Sequence, residues 1–198
     1  MLKISAIIMA SGFSKRMGTN KLFLEYQGKT FLEHVLLLSK KLGFFEQILV
    51  ISPENLAGIS LPEGVKVVLN HDADQGQSTS VRLGTQFASG AGYLYLTVDQ
   101  PLLDESLFAP LLAAYTTENI VFPVTLEGKP SSPIFFGKRF RTDLLQVSGS
   151  TGGREVRNKY PDAWHQVPVD EPYRLADIDT YSDYQKLIAN KVEERTRS

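Results

Sequence analysis

ISAIIMA (Ile4–Ala10) followed by SGFSKRMGTNK (Ser11–Lys21) decides the fold. So short and nearly unbroken an apolar run has the length of a strand buried on both faces, too brief for an amphipathic helix to declare its period. Ser11-Gly12 ends the run and opens a loop that carries Gly12, Gly18 and three cations, Lys15, Arg16 and Lys21. Thr30–Leu42 (TFLEHVLLLSKKL) then sets apolar residues at helical spacing and stops at Gly43. The order is strand, long loop, helix, the opening of a β/α unit.

The same rhythm continues outward. Gln47–Ile51 (QILVI) and Val65–Leu69 (VKVVL) read as strands, the first closed by Ser52-Pro53 and the second preceded by the breaker-rich Leu61-Pro62-Glu63-Gly64. A helix is expected over Ser78–Ser89, a strand over Tyr93–Val98 (YLYLTV), a helix over Glu105–Tyr115 and a strand over Asn119–Val124. Gly128–Pro133 interrupts before Ile134-Phe135-Phe136. Two short helical stretches follow around Arg139–Gln146 and Arg154–Lys159, then a strand near Gln166–Val169 and a last helix from about Tyr181. Alternation of this kind predicts a mostly parallel sheet covered by helices on both faces. Ligands of such sheets bind beyond the carboxyl ends of the strands. Ser11–Lys21, Ser52-Pro53, Asn70–Ser80 and Asp99-Gln100-Pro101 are therefore the segments to watch.

Length and composition narrow the choices. The chain has 198 residues, 42% of them hydrophobic, and 21 Lys+Arg against 22 Asp+Glu give a net charge of −1. One domain is expected over 1–192, with a charged, frayed tail at 193–198. Near-neutral charge argues against a nucleic-acid binder that works by blanket phosphate neutralisation. With Cys 0, disulfides, thiolate nucleophiles and Cys-ligated metal centres are excluded. No apolar run approaches a membrane span or a signal h-region, so a cytoplasmic, membrane-free protein is expected.

Several segments have the chemistry of a polyphosphate site. Two glycines and three cations in the first loop suit an anion, although the glycine spacing is neither a Walker A loop nor a dinucleotide fingerprint. Asp99, directly after a strand and held before Pro101, offers hard oxygen that suits Mg2+, or simply starts a proline turn. Asp177-Ile178-Asp179-Thr180 brings more carboxylates, but Thr180 and Asp183 also have the spacing of a capping box for the last helix. Ser78, Thr79 and Ser80 could meet a ligand at a helix start or merely cap it. His34, His71 and His165 lack metal-ligand spacing, and no G-x-S-x-G elbow is present.

Taken together these residues resemble a known family. Ala10-Ser11-Gly12-x-Ser14-x-Arg16-Met17-Gly18-x-x-Lys21-Leu22 is similar to the A-A-G-x-S-x-R-M-G-x-x-K-L signature of the nucleotidyltransferases that build molybdenum dinucleotide cofactors and sugar nucleotides. Asn70 with Gly76–Ser80, then Asp99-Gln100-Pro101, Gly128-x-Pro130 and Asp177-Ile178-Asp179-Thr180 follow in the family's order over almost the whole chain. The Gln77-Ser78-Thr79-Ser80 and Asp99-Gln100-Pro101 segments look like the cytidylyl branch that acts on molybdenum cofactor, whereas the guanylyl branch typically has an acid where Asn20 stands. Ser11 replaces the usual alanine, and Gly149-Ser150-Thr151-Gly152-Gly153-Arg154 resembles a G-D-x-G-x-R segment with Ser150 in place of the aspartate.

The resemblance implies a three-layer Rossmann-like nucleotidyltransferase fold and an enzyme that joins CMP from CTP to molybdopterin (molybdenum) cofactor, releasing pyrophosphate. It implies that Ala10, Ser11 and Gly12 hold the base and ribose end, that Arg16 and Lys21 bind the triphosphate, and that Asn70 and Ser80 contact the nucleotide. Asp99 and Asp179 would hold Mg2+, with Arg16, Lys21 and Asp99 as the catalytic set. A recipient hydroxylase-type molybdoenzyme, or its insertion chaperone, is the implied transient partner. Alternatives are a guanylyltransferase of the same family, a cytidylyl- or uridylyltransferase for a sugar or polyol phosphate, and a non-catalytic carrier of the cofactor.

Overall fold

The computed structural model describes residues 3–12 and 17–196. Strands are β1 (Ile4–Ala10), β2 (Glu25–Tyr26), β3 (Lys29–Thr30), β4 (Glu46–Ile51), β5 (Val65–Leu69), β6 (Gly92–Thr97), β7 (Ile120–Val124), β8 (Ile134–Gly137) and β9 (Trp164–Pro168). Helices are α1 (Phe31–Lys41), α2 (Pro53–Leu56), α3 (Gln77–Phe87), α4 (Glu105–Ala114), α5 (Arg141–Leu144), α6 (Gly153–Lys159) and α7 (Tyr181–Thr196). No helix among the described residues is long and apolar enough to cross a membrane.

Seven strands form one sheet in the order β5-β4-β1-β6-β8-β7-β9, and β2 with β3 forms a small hairpin. The expected mostly parallel sheet is present. β8 is the antiparallel member, inserted between β6 and β7 with Tyr95 opposite Ile134 and Ile120 opposite Phe136. Register aligns the ligand edge: Ala10 pairs with Ile51, Met9 with Thr97, and Ile51 with Leu69. Ser11, Ser52, Asn70 and Val98 consequently leave the sheet side by side.

Strand side chains alternate between faces, and here both faces are covered. Ile4, Ala6 and Ile8 of β1 join Leu49, Leu94, Val121 and Phe135 on the face packed by α1, α4 and α7. Ile7, Ile48, Tyr93, Phe122 and Phe136 build the opposite layer with Val81 of α3, Leu144 of α5 and Val156 of α6. Phe135 is fully buried and meets Phe108 edge-on at 6.2 Å. Truncating such a ring to alanine costs about 3–5 kcal/mol through lost burial and the cavity left behind.

Helix starts obey local chemistry. Thr30 and Glu33 form a reciprocal capping box on α1, the Glu33 N–H reaching the Thr30 hydroxyl and the Glu33 carboxylate accepting from the Thr30 N–H. Asp104 accepts from the Ser106 and Leu107 N–H groups at the start of α4. His34, on α1, is engaged by the Tyr26 carbonyl at 2.6 Å, a structural contact that ties the helix to the hairpin.

Candidate active site

The carboxyl ends of β1 and β6 open into a cavity of about 400 Å³, the size of a small-ligand site. Met9–Gly12, Lys21, Leu22, Thr97–Asp99 and Asp179 line one side of it, and Gly76, Gln77 and Ser80 line the α3 side. Of the residues singled out in the sequence, Ala10, Ser11, Gly12, Lys21, Ser80, Asp99 and Asp179 all line it. Arg16, expected to bind the triphosphate, lies outside the described residues.

Lys21 is the hinge of the charge arrangement. Its ammonium lies 2.6 Å from Asp179 Oδ1 and 3.6 Å from Asp99 Oδ2. The three side chains are 14%, 25% and 35% exposed in the order Lys21, Asp99, Asp179, which shields the charges in part while leaving them open to the cavity. Asp99 lies two residues past the end of β6, and its carbonyl accepts from the Ile178 N–H at 2.8 Å, which brings the 177–179 segment alongside. Gln100 adds a second tie by donating to the Leu175 carbonyl at 3.0 Å. Segments far apart in the chain are thereby joined at one edge.

The capping box proposed from Thr180 and Asp183 is present. The Asp183 carboxylate accepts from the Thr180 N–H at 2.8 Å and from its hydroxyl at 2.7 Å. Thr180 and Asp183 thus serve the helix start, while the carboxylate of Asp179 meets Lys21. The capping reading of this segment is realised on Thr180 and Asp183, and Asp179 is left facing the cavity.

Asp177 is exposed as a residue, yet its carboxyl is perturbed. Partial loss of hydration is the larger cause and repulsion from Asp99 and Asp179 the next; against the pull of Arg154 and Lys21 they raise it from 3.8 to about 6. A carboxyl so displaced marks the concentration of negative charge at this edge.

Two carboxylates, Asp99 just past β6 and Asp179 in the segment before α7, with Asp99 Oδ1 buried and lacking a hydrogen-bond partner, offer the hard oxygen that Mg2+ takes together with substrate phosphates. The donor set fits such an ion: Asp99 and Asp179 would hold it. Among the described residues no group of three or more His, Asp or Glu side chains is arranged to hold a metal ion by itself.

Asn70 is placed differently from the expectation that it touches ligand. It is 1% exposed, behind the wall, and its Nδ2 donates to Thr79 Oγ1 at 2.9 Å and Ser80 Oγ at 3.0 Å, while Oδ1 accepts from the Asp72 N–H. Any influence on a nucleotide would therefore pass through Ser80. Gly76 holds the same wall with φ +106, and a Cβ there would come 2.6 Å from the Gly149 carbonyl oxygen. The Gly149–Arg154 segment is packed against the loop before α3, with the Ser78 N–H donating to the Gly149 carbonyl at 3.2 Å.

Sequence reading missed Asn55. Its Nδ2 donates to the Ala10 carbonyl at 2.9 Å and the Gly12 carbonyl at 3.3 Å, and its Oδ1 accepts from Asn20 Nδ2 at 2.8 Å. An asparagine two positions after a proline reads as an ordinary turn residue, and only the register of β4 against β1 brings it under the first loop.

A mostly parallel sheet whose carboxyl edge gathers Gly12, Lys21, Asp99 and Asp179 around one cavity suits the class of Rossmann-like nucleotidyltransferases. Solved structures agree on the fold: Rv0371c from Mycobacterium tuberculosis H37Rv superposes with a TM-score of 0.84 at 23% identity over 94% of this chain and 97% of that one. A nucleotidyl transferase from Methanothermobacter gives 0.79 at 22% over 96% and 98%. The chain belongs to the MobA-like NTP transferase domain family, whose model matches residues 6–165. It is 28% identical to the molybdenum cofactor guanylyltransferase of Shewanella halifaxensis (strain HAW-EB4), over 96% of this chain and 97% of that protein.

Proposed function

We propose that the chain transfers CMP from CTP to the terminal phosphate of molybdopterin (molybdenum) cofactor, releasing pyrophosphate. The observation that carries a triphosphate reaction at this edge is Lys21 held between Asp99 and Asp179 beside the open Ala10–Gly12 backbone. In this reading Lys21 turns from its carboxylate partners to the phosphates, and Arg16 joins it there. Ala10, Ser11 and Gly12 take the base and ribose end, and Ser80, braced by Asn70, contacts the nucleotide from the opposite wall.

Asp99 and Asp179 would hold Mg2+, which supplies charge neutralisation and alignment of the phosphates when bound. An oxygen of the acceptor phosphate forms the new bond to the α-phosphorus as the bond from that phosphorus to the β-phosphate oxygen breaks, and pyrophosphate leaves with the electron pair. No covalent enzyme intermediate is needed, so the protein contributes positioning and fixed charge. Delivery to a recipient molybdoenzyme or its insertion chaperone would follow.

The cytidine choice is supported by the Gln77-Ser78-Thr79-Ser80 and Asp99-Gln100-Pro101 segments. GTP is the second reading, favoured by the name of the Shewanella relative. Purified protein given Mg2+, molybdenum cofactor and CTP, GTP or ATP in turn, scored by pyrophosphate release, is expected to prefer CTP. A preference for GTP would replace the cytidylyl choice, and cofactor binding without pyrophosphate release would point to a carrier. Release with sugar or polyol phosphates but not with molybdopterin would redirect the acceptor.

A further inference from the structure

Asn55 is 7% exposed, on α2, and does not line the cavity. Its amide is one link in a relay of fixed polarity. The Leu22 N–H donates to Asn20 Oδ1 at 3.1 Å, Asn20 Nδ2 donates to Asn55 Oδ1 at 2.8 Å, and Asn55 Nδ2 donates to the Ala10 and Gly12 carbonyls. The Leu22 N–H can only donate and the two carbonyls can only accept, so each amide has one workable orientation. From donor to acceptor, the relay runs from the backbone just after the first loop to the backbone at its start.

Its far support is tied to the sheet: Ser52, which precedes α2, directly follows Ile51, which is registered against Ala10, and the Asn55 N–H donates to the Ser52 carbonyl at 3.1 Å. Both ends that the relay joins, Ala10 and Gly12 on one side and Lys21 and Leu22 on the other, face the cavity. We propose that Asn55 is a positioning residue for nucleoside triphosphate binding: its amide sets the spacing between the Gly12 and Lys21 sides of the loop without touching the ligand. The role rests on the nucleotidyltransferase reading above, whichever base is used.

Two conservative changes reverse the relay at known joints. Asn55→Asp keeps size and the acceptor toward Asn20 but turns an oxygen on the Ala10 and Gly12 carbonyls. Asn20→Asp keeps the acceptor for Leu22 but sets oxygen against Asn55 Oδ1. Binding of CTP and of GTP is measured by calorimetry without acceptor, on variants whose fold is verified by circular dichroism and thermal melting, and steady-state kinetics follow. Asn55→Asp is expected to weaken triphosphate binding about tenfold or more, with kcat at saturation kept within about threefold. Asn20→Asp weakens it in the same sense, and Asn20→Ala with Asn55→Ala together is no weaker than Asn55→Ala alone, as one relay requires.

Unchanged affinity in folded variants overturns the role, as does a fall in kcat with KM unmoved, or additive losses in the double variant. Should Asn55→Asp fail to fold, Asn20→Asp at the half-buried end gives the same decision. Wild-type protein that binds neither CTP nor GTP overturns the nucleotidyltransferase reading and the role with it. Wild-type binding that Asn55→Asp leaves unaltered overturns the role alone.

Discussion

Lys21 Nζ lies 2.6 Å from Oδ1 of Asp179, a residue 158 positions later in the chain. The lysine therefore serves two purposes in one place: it offsets the carboxylates at the sheet edge and it stands where a triphosphate would need a cation. Among the described lining residues one lysine faces two carboxylates, so the site carries a local excess of negative charge that a cation would offset.

Lys21→Ala should raise KM for the nucleotide roughly 10- to 100-fold, the effect of losing a charge-assisted bond. It should also lower thermal stability in metal-free buffer, since Asp99 and Asp179 are left facing each other without their shared cation. Steady-state kinetics and melting curves with and without Mg2+ check both parts, and Mg2+ should restore much of the lost stability.

Asp99→Ala should reduce turnover by about 100-fold or more if its carboxylate holds the metal. Asp179→Asn should weaken the apparent Mg2+ affinity more than Asp177→Asn does, because Asp179 and not Asp177 is the partner of Lys21. Mg2+ titrations of pyrophosphate release for the three variants decide the order. Equal effects at Asp177 and Asp179 would mean that both carboxylates share the ion.

Asp177 should titrate near 6 in the metal-free protein. Its folded value is raised above the unfolded one, so as pH climbs from about 4 to 6 the unfolded chain loses this proton first and native stability falls on its account. Asp177→Asn should therefore be more stable than wild type above pH 6, with the advantage gone by about pH 4. Solvent access to the residue will trim the size of the effect but not its sign. Carbon-detected NMR titration and urea denaturation at several pH values provide the measurements, and Asp99→Asn should lower the titration midpoint.

Gly12 and Gly76 should respond oppositely to alanine. Nothing lies within 4 Å of a Cβ at Gly12, so Gly12→Ala should leave the melting temperature nearly unchanged while reducing nucleotide affinity at the cavity wall. Gly76 has φ +106, and its Cβ would meet the Gly149 carbonyl at 2.6 Å. Gly76→Ala should cost about 1–3 kcal/mol of stability by strain and displacement of the Gly149 segment. Denaturation and calorimetric binding on the two variants separate ligand space from backbone space.

Much of the architecture was readable because buried parallel strands are written as short apolar runs, and ISAIIMA, QILVI and YLYLTV fall on β1, β4 and β6 with ends within one residue. The direction and neighbours of β8 were not, since Ile134-Phe135-Phe136 is apolar whichever way it runs. Its place follows from three-dimensional pairing with β6 and β7. In the site, Lys21, Asp99 and Asp179 could be gathered from strand-end logic and family likeness. Asn55 could not, because a relay through two amides leaves no spacing pattern, and the burial of Asn70 behind Ser80 is a packing outcome that its position after β5 does not reveal.

Asp179 lies past the last strand of the sheet, docked by the Ile178 N–H on the Asp99 carbonyl. On the ribosome, a nascent chain that has emerged through Pro168 holds every strand of the sheet but not the carboxylate that faces Lys21. Because folding during synthesis proceeds from the N-terminal side, the scaffold can form first and the charged site is completed last. Synthesis order thus leaves the Lys21–Asp179 ion pair to form after every strand of the sheet has been made.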